Sequence, residues 1–399
     1  MSGFSILKLT LLLISMLTIM AGTPVAPTLP KLAAAFAGEP HAELLSRLVL
    51  TMPALFTVIG APLAGVVADR FGRRPLALVA LLLYAVAGTS GFFGQTLTQI
   101  LIGRAFLGLA VGGCTTAATA LITDYFRGRE RADLLGVQAA FTTAGGVLFI
   151  SLGGFLAEWG WRFPFLIYLV AAAIFFLALG VIREPVRHQS LTRDGSASGL
   201  PWALLAAVYV VGLVGHIGFF SIPVQMPFYL QRDFGIGGVG TGLVLSLATV
   251  FASLTSFNYG RIKRRLSYPA ILTTLFSLMA ASYVVVGTAP ALWVLVAGMC
   301  ITGIAAGMLI PTINNWVSDV AASHVRGRAL GLVTTSIFLG QFLTPIVIAP
   351  VLARVPSGTF FWLLGCVLLG FGLLVRLTAP WLVRRTRRVM DGMAPEEYT

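Results

Sequence analysis

The chain has 399 residues, of which 57% are hydrophobic and 10% charged, and its formal net charge is +13. A water-facing surface of this size would carry broad apolar patches at that composition, which excludes an ordinary soluble enzyme. Cys114, Cys300 and Cys366 all fall inside apolar runs, so they offer neither a disulfide nor a metal framework.

Twelve apolar runs follow one another, at 7–26, 44–67, 76–95, 98–121, 134–156, 163–182, 201–224, 237–258, 268–286, 290–312, 329–352 and 358–378. Each approaches the roughly 20 residues that a helix needs to cross about 30 Å of hydrocarbon. The expected fold is an all-α membrane protein with twelve transmembrane helices. The first run carries Pro24, Pro27 and Pro30 near its far end and has no clear small-residue cleavage site, so it reads as a mature helix rather than a signal peptide. With both termini placed in the cytoplasm, twenty lysines and arginines fall on that side. Five fall on the other side, Lys31, Arg47, Arg162, Arg232 and Arg354, while Arg104 and Arg376 lie within spans. That is the positive-inside bias. The charge therefore reports topology and attraction to anionic lipid, with no implication of nucleic acid.

Between the second and third runs stands Gly65-x-x-x-Asp69-Arg70-x-Gly72-Arg73-Arg74. Gly65 removes a side chain where two helices are expected to approach, Asp69 can accept hydrogen bonds from helix N-termini or guanidinium groups, and Gly72 admits a tight turn. An ordinary basic loop accounts for the arginines singly; the pattern as a whole reads as a cytoplasmic gate held by hydrogen bonds.

The fourth run contains Arg104, followed by Gly108, Gly112 and Gly113. Burial of Arg104 is costly unless it meets water, a carbonyl or a counter-ion. A snorkelling structural arginine and a member of the transport cycle are both open readings. Asp124, at the inner end of the same run, either exchanges arginine partners during closure or completes a helix end. In the fifth run Gly153 and Gly154 fit close interhelical packing, with Gly145 and Gly146 as nearby points of flexibility or packing.

Residues 183–200, with Pro185, Gly195 and Gly199, form the expected cytoplasmic linker between a bundle at 1–182 and a second at 201–379, with a cytoplasmic tail at 380–399. A displacement of 195 residues carries Asp124 to Asp319, Arg131 to Arg326, Gly136 to Gly331 and Gly65 to Gly260. The basic cluster Arg261-x-Lys263-Arg264-Arg265 does not align with Arg70 to Arg74 at that offset. The matches indicate two structural repeats related by an axis along the membrane normal.

The fourteen acidic residues sit at helix ends, in loops or in tails, which leaves His216 in the seventh run as the titratable group inside a span. Three roles stay open for it: proton carriage, substrate binding and a satisfied buried hydrogen bond. Candidate substrate contacts are Met20, Phe141, Phe220, Gln225, Tyr229, Asn258, Asn314, Asn315, Trp316 and Gln341, a mixture of aromatic and amide groups suited to an amphipathic organic ligand. Interfacial anchoring and ties between helices account for the same residues, and Asn258 falls where span eight ends. Pro24, Pro27, Pro223, Pro227, Pro311 and Pro345 break regular backbone bonding, as fixed bends or as moving ones. Neither a metal cage nor a phosphate loop for ATP is visible.

Gly65, Asp69, Arg70, Gly72, Arg73 and Arg74 match in order the signature between helices two and three of the major facilitator superfamily. Twelve spans and a half repeat extend that resemblance over the whole chain. It implies the major facilitator fold, two six-helix bundles with alternating access, and Asp69 as the first gate residue to test. Arg104-x-x-x-Gly108 resembles the fourth-helix motif of proton-coupled facilitators, with Leu107 in place of a polar residue. The Gly-Pro-x-x-Gly-Gly of drug exporters survives here as Gly153-Gly154 alone.

The likeness to bacterial drug-efflux members implies a secondary transporter, not an enzyme. It would export amphipathic small molecules or drugs by proton antiport from a bacterial inner membrane. The expected partners are that solute and membrane lipid, the expected state is a monomer, and no cofactor is expected beyond a proton gradient. Two alternatives stand beside it: a uniporter or symporter of a small organic anion that uses Arg104 for charge attraction, and a non-transporting membrane scaffold.

Overall fold

The computed structural model describes residues 5–185, 202–321 and 326–391. The expected linker beyond residue 185 and the tail beyond residue 391 lie outside the described residues. Fourteen α-helices run in order among them: α1 Ile6–Met20, α2 Leu29–Ala35, α3 Ala42–Phe71, α4 Arg73–Phe93, α5 Leu97–Tyr125, α6 Gly128–Trp159, α7 Val170–Val181, α8 Trp202–Asp233, α9 Gly238–Phe257, α10 Tyr259–Arg265, α11 Tyr268–Gly287, α12 Leu292–Val320, α13 Arg326–Leu352 and α14 Ser357–Asp391. Short 3-10 helices at Thr23–Thr28 and Phe163–Leu169 precede α2 and α7, and no strand occurs among the described residues. Twelve of the helical stretches are long and apolar enough to cross a membrane.

Local chemistry explains where the helices start and stop. Thr96 caps α5 by accepting the Gln99 N–H at 3.2 Å, and Ser5 does the same for α1 with Lys8 at 3.3 Å. Pro269 lies in the first turn of α11, where its missing N–H costs nothing. The first span is not one helix: Pro24 and Pro27 convert Thr23–Thr28 to a 3-10 turn between α1 and α2. The burial pattern is that of a protein in lipid, since Phe93, Phe176, Phe257 and Trp293 are exposed while Arg104 is buried.

Two compact units separate. One takes in Met1–His188, Ser221–Thr249 and Phe342–Ala349; the other takes in Gln189–Phe220, Val250–Gln341 and Pro350–Thr399. The far part of α8 and most of α9 thus pack with the first half of the sequence. In the first unit α5 lies against α3 and α4, and α1 against α6. The α3–α5 seam is tight because it is built on small residues. A Cβ on Gly112 would stand 2.6 Å from the Ala61 nitrogen, and one on Gly108 would stand 2.7 Å from Phe56 Cβ. In the second unit α11 packs on α12 and α14, and Gly307, 195 residues after Gly112, meets Ala252 and Thr255 of α9.

Candidate functional site

Arg104 is the largest fully buried side chain among the described residues, 1% exposed, and its charge is met by backbone dipoles and a phenol. Its Nε donates to the Val49 carbonyl at 2.8 Å, one Nη donates to the Ala21 carbonyl at 2.6 Å and the other to Tyr168 Oη at 2.8 Å. Tyr168 donates in turn to the Ala21 carbonyl at 2.8 Å. The rings of Tyr168 and Phe165 lie 5.1 and 5.6 Å from the guanidinium carbon and add cation–π attraction. No carboxylate appears among these partners.

Prolines make both carbonyls available. In a regular helix the Val49 carbonyl would accept the N–H of residue 53, but residue 53 is Pro53 and has none. The Ala21 carbonyl would accept the N–H of Val25, which the 3-10 turn after Pro24 redirects to Gly22 at 3.1 Å. Gly108, one turn beyond Arg104, lets α5 approach Pro53 and so brings the cation within reach of Val49. The spacing Arg104-x-x-x-Gly108 on α5 therefore faces Val49-x-x-x-Pro53 on α3. The guanidinium is held inside the first unit and does not snorkel.

The signature loop is built differently from expectation in two respects. Gly72 turns the chain with φ +100°, and the N–H groups of Arg73 and Arg74 that open α4 donate to the two carboxylate oxygens of Glu184 at 2.7 and 2.8 Å. A Cβ on Gly72 would sit 2.7 Å from Glu184 Oε1, so glycine is required there by angle and by space. Glu184, not Asp69, occupies the helix N-terminus. Asp69 is 81% exposed and stands 4.0 Å from Arg73. Arg73 instead pairs with Asp124 of α5, Nε to Oδ2 at 3.0 Å, a charge contact in which the N–H is not aimed at the oxygen. Arg74 reaches the Leu179 carbonyl at 3.2 Å, and Arg70 extends over Phe71. The close approach expected at Gly65 is not found: no described heavy atom comes within 4 Å of a Cβ built there, and α3 meets α5 at Gly60 instead.

The second half repeats this contact in altered chemistry. Arg73 plus the 195-residue displacement is Tyr268, and its hydroxyl donates to Asp319, the counterpart of Asp124. Lys263 sits 4.0 Å from the centre of the Tyr268 ring, and Trp316 stacks on it at 5.5 Å. A cation, a ring and a carboxylate in series replace the direct ion pair. The basic cluster that does not align at the repeat offset folds as α10 and supplies that cation.

The remaining candidates divide between the units. His216 is buried on α8, stacked on Phe220 at 6.3 Å with Phe219 edge-on at the same distance, and its Nδ1 has no hydrogen-bond partner among the described residues. Gln225, 2% exposed, accepts from Arg47 at 2.9 Å, and Tyr229 packs on Phe234. Met20 is fully buried, while Phe141 and Gln341 are half-buried. Asn258 and Asn315 turn back to carbonyls of their own helices, Leu254 and Pro311, each at 2.8 Å, and Asn314 is exposed. Glu43, Tyr168, Glu184 and Tyr268 were missed from the sequence. Only Tyr268 left a signal, being Arg73 carried forward by the repeat.

The chain matches the Major Facilitator Superfamily over residues 11–345 and again over 208–392. It is 25% identical to the bacillibactin exporter of Bacillus subtilis (strain 168) over 334 residues, 77% of this chain and 81% of that protein. It is 24% identical to the quinolone resistance protein NorA of Staphylococcus aureus (strain MRSA252) over 308 residues, covering 74% and 77%. The inward-open xylose transporter XylE from E. coli superposes with a TM-score of 0.76 at 16% identity, over 92% of this chain and 95% of that one. The human organic anion transporter MFSD10 superposes at 0.67 and 19%, over 93% and 99%. With its twelve membrane-crossing helices, its half repeat and its signature loop, the chain belongs to the major facilitator superfamily, as a multi-pass membrane transporter.

Proposed function

We propose that the protein exports amphipathic small organic molecules by antiport against protons, through alternating access, in a bacterial inner membrane with both termini cytoplasmic. One observation carries this reading above the others. A permanent cation is kept inside the first unit at Arg104, whereas the position 195 residues on is Met299, buried and uncharged. Packing alone is met by a thioether at that place in the second half. An arginine costs several kcal/mol of desolvation before its partners offset it, so its retention points to the transport cycle. In this reading Arg73–Asp124 and Tyr268–Asp319 are the paired latches that open and close. His216, with its bare Nδ1, takes up a proton or a solute hydrogen bond.

Likeness to an exporter of bacillibactin and to a quinolone resistance protein supports an organic solute and the outward direction. The organic-anion alternative asks Arg104 to meet the solute, and each of its three nitrogens already donates to the protein. Purified protein in vesicles should move a quinolone, bacillibactin or an amphipathic dye faster when a pH gradient is imposed. Equal rates with the gradient collapsed would overturn antiport. No movement of any solute, with a stable protein partner instead, would favour a scaffold.

A further inference from the structure

At the end of the first unit opposite the signature loop, Glu43 in the first turn of α3 lies between two guanidinium groups. Arg47, one turn along the same helix, donates to Glu43 Oε2 at 3.1 Å, and Arg232 near the end of α8 donates to Oε1 at 2.6 Å. Both guanidinium groups lie against one buried ring, Phe228, at 4.4 and 5.1 Å from its centre. Two like charges share that ring, and the carboxylate between them offsets their repulsion. Arg47 is 5% exposed and its Nε has no hydrogen-bond partner among the described residues, so it gains little from water, whereas Glu43 is 45% exposed and within reach of it. Gln225 gives Arg47 one amide oxygen at 2.9 Å.

We propose that Glu43 is a protonatable bolt that fastens α3 to α8 when ionised and releases α8 when it takes a proton from the outer solution. This rests on the proton-antiport reading and adds to it a coupling site remote from Arg104 and His216. The proton comes from bulk water onto a carboxylate oxygen. The neutral acid keeps an acceptor oxygen but no charge to offset Arg47 and Arg232, and the two cations are left facing each other over Phe228. Return of the proton to solution restores the bolt. Other charged groups nearby have places of their own. His41 stands at the start of α3 without a side-chain capping bond, and Asp233 follows Arg232. Lys31 of α2 is held by the Ala157 carbonyl and Glu158, and Glu39 accepts the Leu97 N–H. Outside Glu43, no carboxylate within hydrogen-bond distance joins Arg47 to Arg232 among the described residues.

The test places spin labels at Pro40→Cys and Val239→Cys, both exposed and both in the first unit, in full-length protein lacking its three native cysteines and reconstituted in vesicles. Lowering pH from about 7 to about 3, across the carboxylate range, should lengthen the label separation. Glu43→Gln should hold the long separation at both pH values, and Arg232→Gln should do so while leaving the acid in place. Glu43→Asp should restore the pH response, and a gel-filtration and melting control establishes that each variant folds. A pH response that survives Glu43→Gln, or its absence from the parent protein, overturns the bolt. Antiport is judged separately by gradient-driven transport: if it persists when the bolt fails, only Glu43 is rejected, and if it is absent while the labels still respond, only the antiport reading is.

Discussion

Gly72 and Glu184 are a pair in which each side chain, or lack of one, is fixed by the other. The backbone angle at Gly72 is one that a residue with Cβ adopts only with strain, and the Glu184 carboxylate fills the space where that Cβ would go. Gly72→Ala should therefore destabilise the protein by about 1–3 kcal/mol through backbone strain alone. Glu184→Gln, which keeps one acceptor and removes the charge at the helix N-terminus, should cost about 0.3–1 kcal/mol. Thermal melts of the purified proteins in detergent rank the two; equal melting temperatures would contradict the cap. At this scale the sequence showed which residues were unusual but not whom they meet. Arg104, Gly72 and His216 stood out by type and place, whereas Glu184 lay 111 and 110 residues from the two N–H groups it caps and nothing local marked it.

Helix breaks matter here for the acceptors they release. Pro53 and the Pro24 turn each leave one carbonyl without its usual donor, and Arg104 uses both. Pro53→Ala should give α3 a regular turn whose new N–H competes for the Val49 carbonyl, leaving Arg104 Nε short of an acceptor. Removing an interior proline normally stabilises a helix by roughly 3 kcal/mol; here the gain is opposed by an unpaired buried donor on a charged group, worth roughly 1–3 kcal/mol. The expected result is a melting temperature little changed and a transport rate reduced at least several-fold. A variant that transports like the parent would show that Arg104 does not depend on this carbonyl. The spans themselves were legible because twenty apolar residues in a row have few alternatives. The 3-10 break in the first span was signalled by its prolines, but a run of hydropathy does not show which carbonyl a break sets free.

Across the whole chain, the repeat was readable as a displacement and then as paired contacts. Asp124 and Asp319 were matched by spacing, and their partners Arg73 and Tyr268 fall at the same displacement although one is charged and the other is not. What spacing could not convey is that far α8 and much of α9 pack with the first half, since that depends on Arg232 finding Glu43 and Gln231 finding the Pro27 carbonyl at 2.7 Å. The unequal interior has a further result. Arg104 carries a full positive charge within the span and takes no acid as partner, while Met299 at the matching position carries none. A charge in that situation feels the membrane potential, which does work of about 2.3 kcal/mol per elementary charge for each 100 mV fully crossed. If the first unit tilts or shifts along the membrane normal as it turns over, the outward and return steps carry that charge in opposite directions, so each step is voltage-dependent although a full cycle moves none of it. Vesicles clamped at different potassium-diffusion potentials should show a voltage-dependent rate, and Arg104→Met should flatten it.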